Sequence, residues 1–155
     1  MAQGILESMV NSHAVELDSA GLADFHVGES ADHRSIKTAK ANGVDISEQR
    51  ARQIQTADFH HFDIIYVMDK HNFEKATALA PDEVSREKVK MIMGAVGKPE
   101  TNVPDPYYGG DEGFEAVYTM LHKACEAIAG EIERLWWKEP ENLYSFQLRL
   151  GTTNL

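Results

Sequence analysis

The chain reads as an open α/β fold, a parallel sheet with helices on both faces, and three features predict it. Residues 62–68, FDIIYVM, form an apolar run interrupted only by Asp63, and residues 89–93 form a second, shorter one. Such runs suit strands buried on both faces of a parallel sheet. Helical patterns alternate with these runs, and that alternation implies right-handed crossovers in one sheet.

Taken in order, the elements begin at once. Ala2, Ile5, Leu6, Met9, Val10 and His13 fall on one helical face, so a helix is expected from the first methionine with no cap or turn before it. A helix that starts this abruptly is expected to be cut from a longer element. Residues 14–18 form a short strand candidate running into the turn Ser19-Ala20-Gly21. A helix over residues 34–42 ends at Gly43, a C′ glycine, and one over residues 71–80 ends before Pro81. The last helix, residues 114–137, carries an apolar stripe at Phe114, Val117, Leu121, Ile128, Ile132 and Leu135. After it, Tyr144, Phe146, Leu148 and Leu150 alternate with Ser145, Gln147 and Arg149, the period of a half-buried strand. That segment is expected to pair with a sheet edge or with another chain, or to be disordered.

Composition narrows the function classes. At 155 residues and 43% hydrophobic, the chain has room for one compact domain, and no segment approaches the ~20 apolar residues of a membrane span. A net charge of −10 makes nucleic acid and anionic membranes poor partners for the surface as a whole. Cys125 is the single cysteine, which excludes a disulfide framework or a zinc knuckle, and no signal peptide is evident. A cytoplasmic setting is expected. Trp136 and Trp137 read as a partner patch or as packing of the last helical turn. His60, His61 and His71 lack the spacing of a metal site, so no metal is expected. Arg50 and Arg52, with Lys37 and Lys40, could bind anions, but their spread along helices among acids reads mostly as solvated faces.

The most informative stretch is residues 103–118, VPDPYYGGDEGFEAVY. Pro104 and Pro106 fix φ on either side of Asp105, Gly109 and Gly110 let the chain turn, and Asp111 is expected to cap the following helix. On these residues alone the stretch is either a proline turn before a helix or a rigidly presented acid. In an open α/β sheet, ligands bind beyond the carboxyl ends of the strands. The turns after Asp18 and Met68 should therefore meet the Asp105 loop at one edge.

Read as a whole, the stretch resembles the acid loop of the low-molecular-weight protein tyrosine phosphatases, whose Asp-Pro-Tyr-Tyr-Gly segment leads into the last helix. Asp18-Ser19-Ala20-Gly21, Asp24-Phe25-His26-Val27-Gly28, Gln49-Arg50-Ala51-Arg52-Gln53 and Phe62-Asp63-Ile64-Ile65 with Met68-Asp69 match the family in the same order. The resemblance implies a phosphatase-like domain over residues 1–137 and a separate tail over residues 138–155. It also implies that the family's first, central strand and its Cys-x5-Arg phosphate loop are missing here, because Met1-Ala2-Gln3-Gly4-Ile5 begins where that loop ends. Cys125 is no substitute: an arginine would be needed where Glu131 stands.

By the same resemblance, Asp105 is the acid that protonates a departing phenolate and later activates water, in a reaction through a cysteinyl phosphate. Tyr107, Tyr108 and Phe25 match an aromatic rim for a phosphotyrosine ring, with ordinary packing as the other reading of Phe25. Ser19 matches a serine that supports the phosphate loop. The implied substrates are a phosphotyrosine protein or a small aryl phosphate, and no cofactor is implied. The expectation is an enzyme family member inactive as this truncated chain. The alternative is a non-catalytic phosphatase-like protein that binds a partner; an arsenate reductase is disfavoured because one cysteine offers no redox relay. A missing central strand should leave a gap filled by self-association or by the tail, although the tail's alternation suits an edge better than a doubly buried position.

Overall fold

The computed structural model describes residues 1–138 and 147–151. In chain order the elements are helix α1 (Ala2–Glu7), strand β1 (Glu16–Ala20), helices α2 (His33–Ala41) and α3 (Thr56–His61), strand β2 (Ile64–Val67), helices α4 (Lys70–Leu79) and α5 (Glu83–Glu87), strand β3 (Val89–Met91), a 3₁₀ turn (Ile92–Val96), helix α6 (Asp111–Lys138) and strand β4 (Gln147–Gly151). The sheet has the order β1-β4-β2-β3, and every pairing is parallel. The predicted α/β architecture is therefore the observed one.

Two apolar clusters sandwich the sheet. Successive residues of β2 face opposite ways. Tyr66 joins α1 and α6 residues such as Ile5, Leu6, Leu121 and Ile128 in one cluster, whereas Ile65 and Val67 join Phe59 of α3 and Ala76 of α4 in the other. The apolar run of β2 thus supplies both cores. Gly4 allows α1 to lie close to the chain after α2: a Cβ there would fall onto Cγ2 of Ile46 and within 3.2 Å of Val44.

Local signals set several boundaries. Asp32 caps α2 by accepting from the Arg34 N–H at 2.8 Å, and Gly43 takes the left-handed φ of 82° just past its end. Asp69 and Asp82 cap α4 and α5 in the same way. Some expectations shift. The first strand lies at Glu16–Ala20 rather than residues 14–18, and α1 ends at Glu7, so Met9, Val10 and His13 are outside it. Asp111 is the first residue of α6, not a residue before it, and pairs with Lys37 at 3.2 Å. The run of residues 89–93 is a strand only to Met91, then tightens into the 3₁₀ turn. The short helices α3 and α5 escape the periodicity reading because each is little more than one turn.

Of the places expected for the tail, it takes the gap between two strands and not the edge that its alternation suits better. Its alternating segment is not at an edge; β4 lies in the middle of the sheet, paired with β1 on one side and β2 on the other. The register supplies the reason. Leu148 pairs with Leu17 and Ile64, and Arg149 with Asp18 and Ile65, so the segment's backbone matches both neighbours in parallel register. On β1 beside it, Glu16 meets His61 at 2.9 Å and Asp18 meets Arg52 at 2.7 Å. Tyr144, Ser145 and Phe146 lie outside the described residues, as do the side chains of Trp136 and Trp137.

Candidate functional site

The site is built on two supports at the carboxyl ends of the strands. One is the end of β1, Ser19 and Ala20 with Gly21. The other is the loop after Val103, whose N–H donates to the Met68 carbonyl just beyond β2 at 2.8 Å. Asn102 Oδ1 accepts from the Lys70 N–H at 3.0 Å, tying the same loop to the start of α4. Between the supports lies an open cleft of about 450 Å³, lined among others by Ser19, Arg50, Arg52, Asp105, Tyr107 and Tyr108.

Within the loop, Pro106 and Val103 are buried and Asp105 is exposed. Asp105 Oδ1 accepts from the Tyr107 N–H at 2.9 Å, an Asx turn that fixes the carboxylate relative to the rings that follow. The Tyr107 and Tyr108 rings meet edge to face at 5.1 Å, and Tyr108 is 95% exposed. Such a projecting ring is a stacking surface in search of a partner.

Arg34 holds this loop from behind. Its guanidinium donates to the carbonyls of Tyr107 at 3.1 Å and Gly109 at 3.3 Å, and lies 4.6 Å from the centre of the Phe114 ring. Asp32 in turn accepts from its Nε at 3.1 Å and from Nη2 at 2.9 Å. The hydrogen bond from Arg34 holds the Asp32 carboxyl below the usual carboxylate range and raises the guanidinium further. On the other wall, Arg52 pairs with Asp18 at 2.7 Å and with Asp58 at 3.0 Å, joining β1 to α3.

Asp105, Tyr107, Tyr108 and Ser19 line one cleft. Phe25 does not line it: this ring is 78% exposed and lies edge-on to His26, which does. The Ser19 hydroxyl donates to Gln3 Oε1 at 2.5 Å, so within the described residues it secures α1 against β1. Cys125 is fully buried on α6, with its thiol directed at the Ala2 carbonyl at 3.7 Å, and burial pushes its pKa up to about 12. That is the chemistry of a core thiol. Among the described residues no group of three or more His, Cys, Asp and Glu is placed to hold a metal ion. No helix among them is long and apolar enough to cross a membrane.

Sequence reading missed Arg34 and misplaced Arg50 and Arg52. The two arginines are not on solvated helical faces; they lie in the irregular stretch between α2 and α3 and line the cleft. The partners of Arg52 and Arg34 stand 34 and 73 residues away for Asp18 and Tyr107, beyond any local pattern. The Gln-Arg-Ala-Arg-Gln run itself was the available signal, since no helical period explains it.

The fold is an open parallel α/β sheet that carries an Asp-Pro-Tyr-Tyr loop at its carboxyl edge. The sequence profile described as low molecular weight phosphotyrosine protein phosphatase matches residues 1–137. The chain is 32% identical over 139 residues to a low molecular weight protein-tyrosine-phosphatase of Streptomyces coelicolor, covering 85% of this chain and 84% of that one. It is 38% identical over 124 residues to low molecular weight phosphotyrosine protein phosphatase 1 of Drosophila melanogaster, covering 78% of each. Among solved structures, a protein tyrosine phosphatase of Entamoeba histolytica with Hepes in its active site superposes with a TM-score of 0.78 at 31% identity, over 86% of this chain and 87% of that one. The chain belongs to the low molecular weight phosphotyrosine protein phosphatase family.

Proposed function

We propose that the cleft recognises phosphotyrosine, on a protein or as a small aryl phosphate, with Asp105 as the acid toward the phenolate oxygen and Tyr107 and Tyr108 as the aromatic rim. The carrying observation is the Asx turn: one loop presents the carboxylate and both rings at a single wall of the cleft. A relative supports the aromatic preference, since Wzb of Vibrio vulnificus, 28% identical with a TM-score of 0.73, was solved in complex with benzylphosphonate. Phe25 extends the rim only if the substrate is a longer peptide, because its ring stands outside the cleft.

The 155-residue chain binds without turning over. Hydrolysis through a cysteinyl phosphate needs a thiolate facing the substrate and a Cys-x5-Arg loop, and this chain's single cysteine is the buried Cys125. The loss of a nucleophile removes most of such an enzyme's rate enhancement. Ser19 serves as the support of whatever segment occupies the cleft floor. Incubation with 4-nitrophenyl phosphate should give no protein-dependent release of nitrophenol, while a phosphotyrosine peptide should bind more tightly than its unphosphorylated form. Release that disappears in Asp105→Asn would overturn the inactivity. Binding indifferent to phosphorylation, yet lost in Tyr108→Ala, would favour a non-catalytic partner-binding role for the same exposed rim.

A further inference from the structure

The arginines that line the cleft differ in how their charge is answered. Arg52 pairs with Asp18 at 2.7 Å and with Asp58 at 3.0 Å, so its cation is outweighed by carboxylates. His26, which also lines the cleft, meets Glu29 at 2.8 Å. Arg50 has no carboxylate partner among the described residues; its Nη1 donates to the Ser47 carbonyl at 2.7 Å and to the Gln49 carbonyl at 2.9 Å. Both acceptors are neutral, and the charge is left whole.

Those carbonyls nevertheless fix the group in place. With Nη1 bound to the backbone, Nε and Nη2 remain, and their parallel N–H groups form an edge that takes a carboxylate bidentately. The backbone beneath is tied down as well: Arg50 forms an antiparallel bridge with Ser30, the Gly28 N–H donates to the Ala51 carbonyl at 2.8 Å, and the Ala51 N–H donates to the Glu29 carbonyl at 2.8 Å. An exposed guanidinium anchored on one side and unneutralised on the other is arranged for an anion from outside. The surface as a whole, at a net charge of −10, repels such a ligand, so the attraction has to be local.

We infer that Arg50 is a specificity-determining residue, which receives the carboxylate of an acidic side chain flanking the phosphotyrosine of a bound peptide. This role rests on the reading of the cleft as a phosphotyrosine site, since Arg50 lines the same cleft as Asp105, Tyr107 and Tyr108. A phosphate dianion asks for more positive charge than one guanidinium supplies, whereas a single forked edge matches the paired oxygens and single charge of a carboxylate. The phosphate ester is left to the Asp105 loop, and Arg50 reads its neighbour in the peptide.

The test is a set of phosphotyrosine peptides with neutral flanks into which a glutamate or a glutamine is placed at successive positions, with binding read by fluorescence anisotropy. At one flanking position the wild-type chain should bind the glutamate peptide about fivefold more tightly than its glutamine counterpart at low ionic strength, the upper range for an exposed ion pair. Added salt should shrink that preference. Arg50→Gln should remove it, and Arg50→Glu should invert it in favour of a lysine at the same position. The wild-type comparison uses no substituted protein, so it decides even where a variant misfolds. Equal binding of glutamate and glutamine peptides at every position, with phosphorylated peptides still preferred over unphosphorylated ones, would overturn the role of Arg50 and leave the phosphotyrosine reading standing. A loss in Arg50→Gln that is the same for glutamate and glutamine peptides would assign Arg50 to the phosphate and overturn the flanking contact. No advantage of phosphorylated over unphosphorylated peptide would remove the phosphotyrosine reading and the role of Arg50 with it.

Discussion

The Arg34 guanidinium donates to the Tyr107 carbonyl at 3.1 Å while lying 5.5 Å from the centre of that same residue's ring, so one cation grips both the backbone and the face of the rim. Its planar fork also reaches Gly109. A lysine cannot reproduce that geometry. Arg34→Ala and Arg34→Lys should both speed amide exchange at Tyr107 and Gly109 while leaving α4 unchanged. Equal protection in wild type and Arg34→Lys would show that point charge, not the fork, holds the loop.

The Asp32 carboxylate makes that grip depend on pH. Its folded pKa lies below the ordinary value of 3.8, chiefly through the Arg34 hydrogen bond. A depressed folded pKa contributes stability that is present above the unfolded value and is lost as pH falls through the folded one. The protection factor at Tyr107, measured against the intrinsic exchange rate at each pH, should therefore be constant above pH ~5 and fall as pH drops below 3.8. In Asp32→Asn protection should already be low at neutral pH, and its acid dependence should flatten.

Arg52 carries a different load, fastening β1 to α3 between Asp18 and the buried Asp58. Truncation leaves charge-assisted hydrogen bonds unmade next to a buried carboxylate. Arg52→Ala should lower unfolding free energy in urea by about 1–3 kcal/mol. A change under about 0.5 kcal/mol would mean that solvent screens the pair as at an ordinary surface bridge.

Gly4 tests the packing of α1. In a helix interior Ala is favoured over Gly by roughly 1 kcal/mol, but the added Cβ would fall onto Cγ2 of the fully buried Ile46. Overpacking of this kind costs about 1–3 kcal/mol, so Gly4→Ala should be net destabilising. In a double-mutant cycle, Ile46→Ala, which removes the clashing Cγ2, should cost less on the Gly4→Ala background than on the wild type in thermal melts.

Asp105 is tested by restoring the missing chemistry. An added amino-terminal segment with an apolar strand and a Cys-x5-Arg loop should confer aryl phosphatase activity. In that extended protein, Asp105→Asn should lower kcat by roughly 10²–10⁴-fold, the usual worth of general acid catalysis. A folded, active extended protein indifferent to Asp105→Asn would remove the acid assignment.

By itself, the sequence determined the longer helices, the main strands and the place of the Asp105 loop. The apolar run of β2, the stripe of α6 and the Pro-Asp-Pro-Tyr-Tyr loop are local signals, because backbone sterics and side-chain periodicity act over a few residues. Even so, the boundaries of the first strand moved by two residues, to Glu16–Ala20. Only the tertiary structure decided that Arg52 binds Asp18 and Asp58, that Arg34 holds the loop that carries Asp105, and that β4 lies at the centre of the sheet. Those facts depend on which distant surfaces meet. The alternation of Leu148 and Leu150 suggested a half-buried strand, whereas its central place was decided by backbone groups of β1 and β2 that only a strand between them can pair, a long-range fact that no local pattern carries.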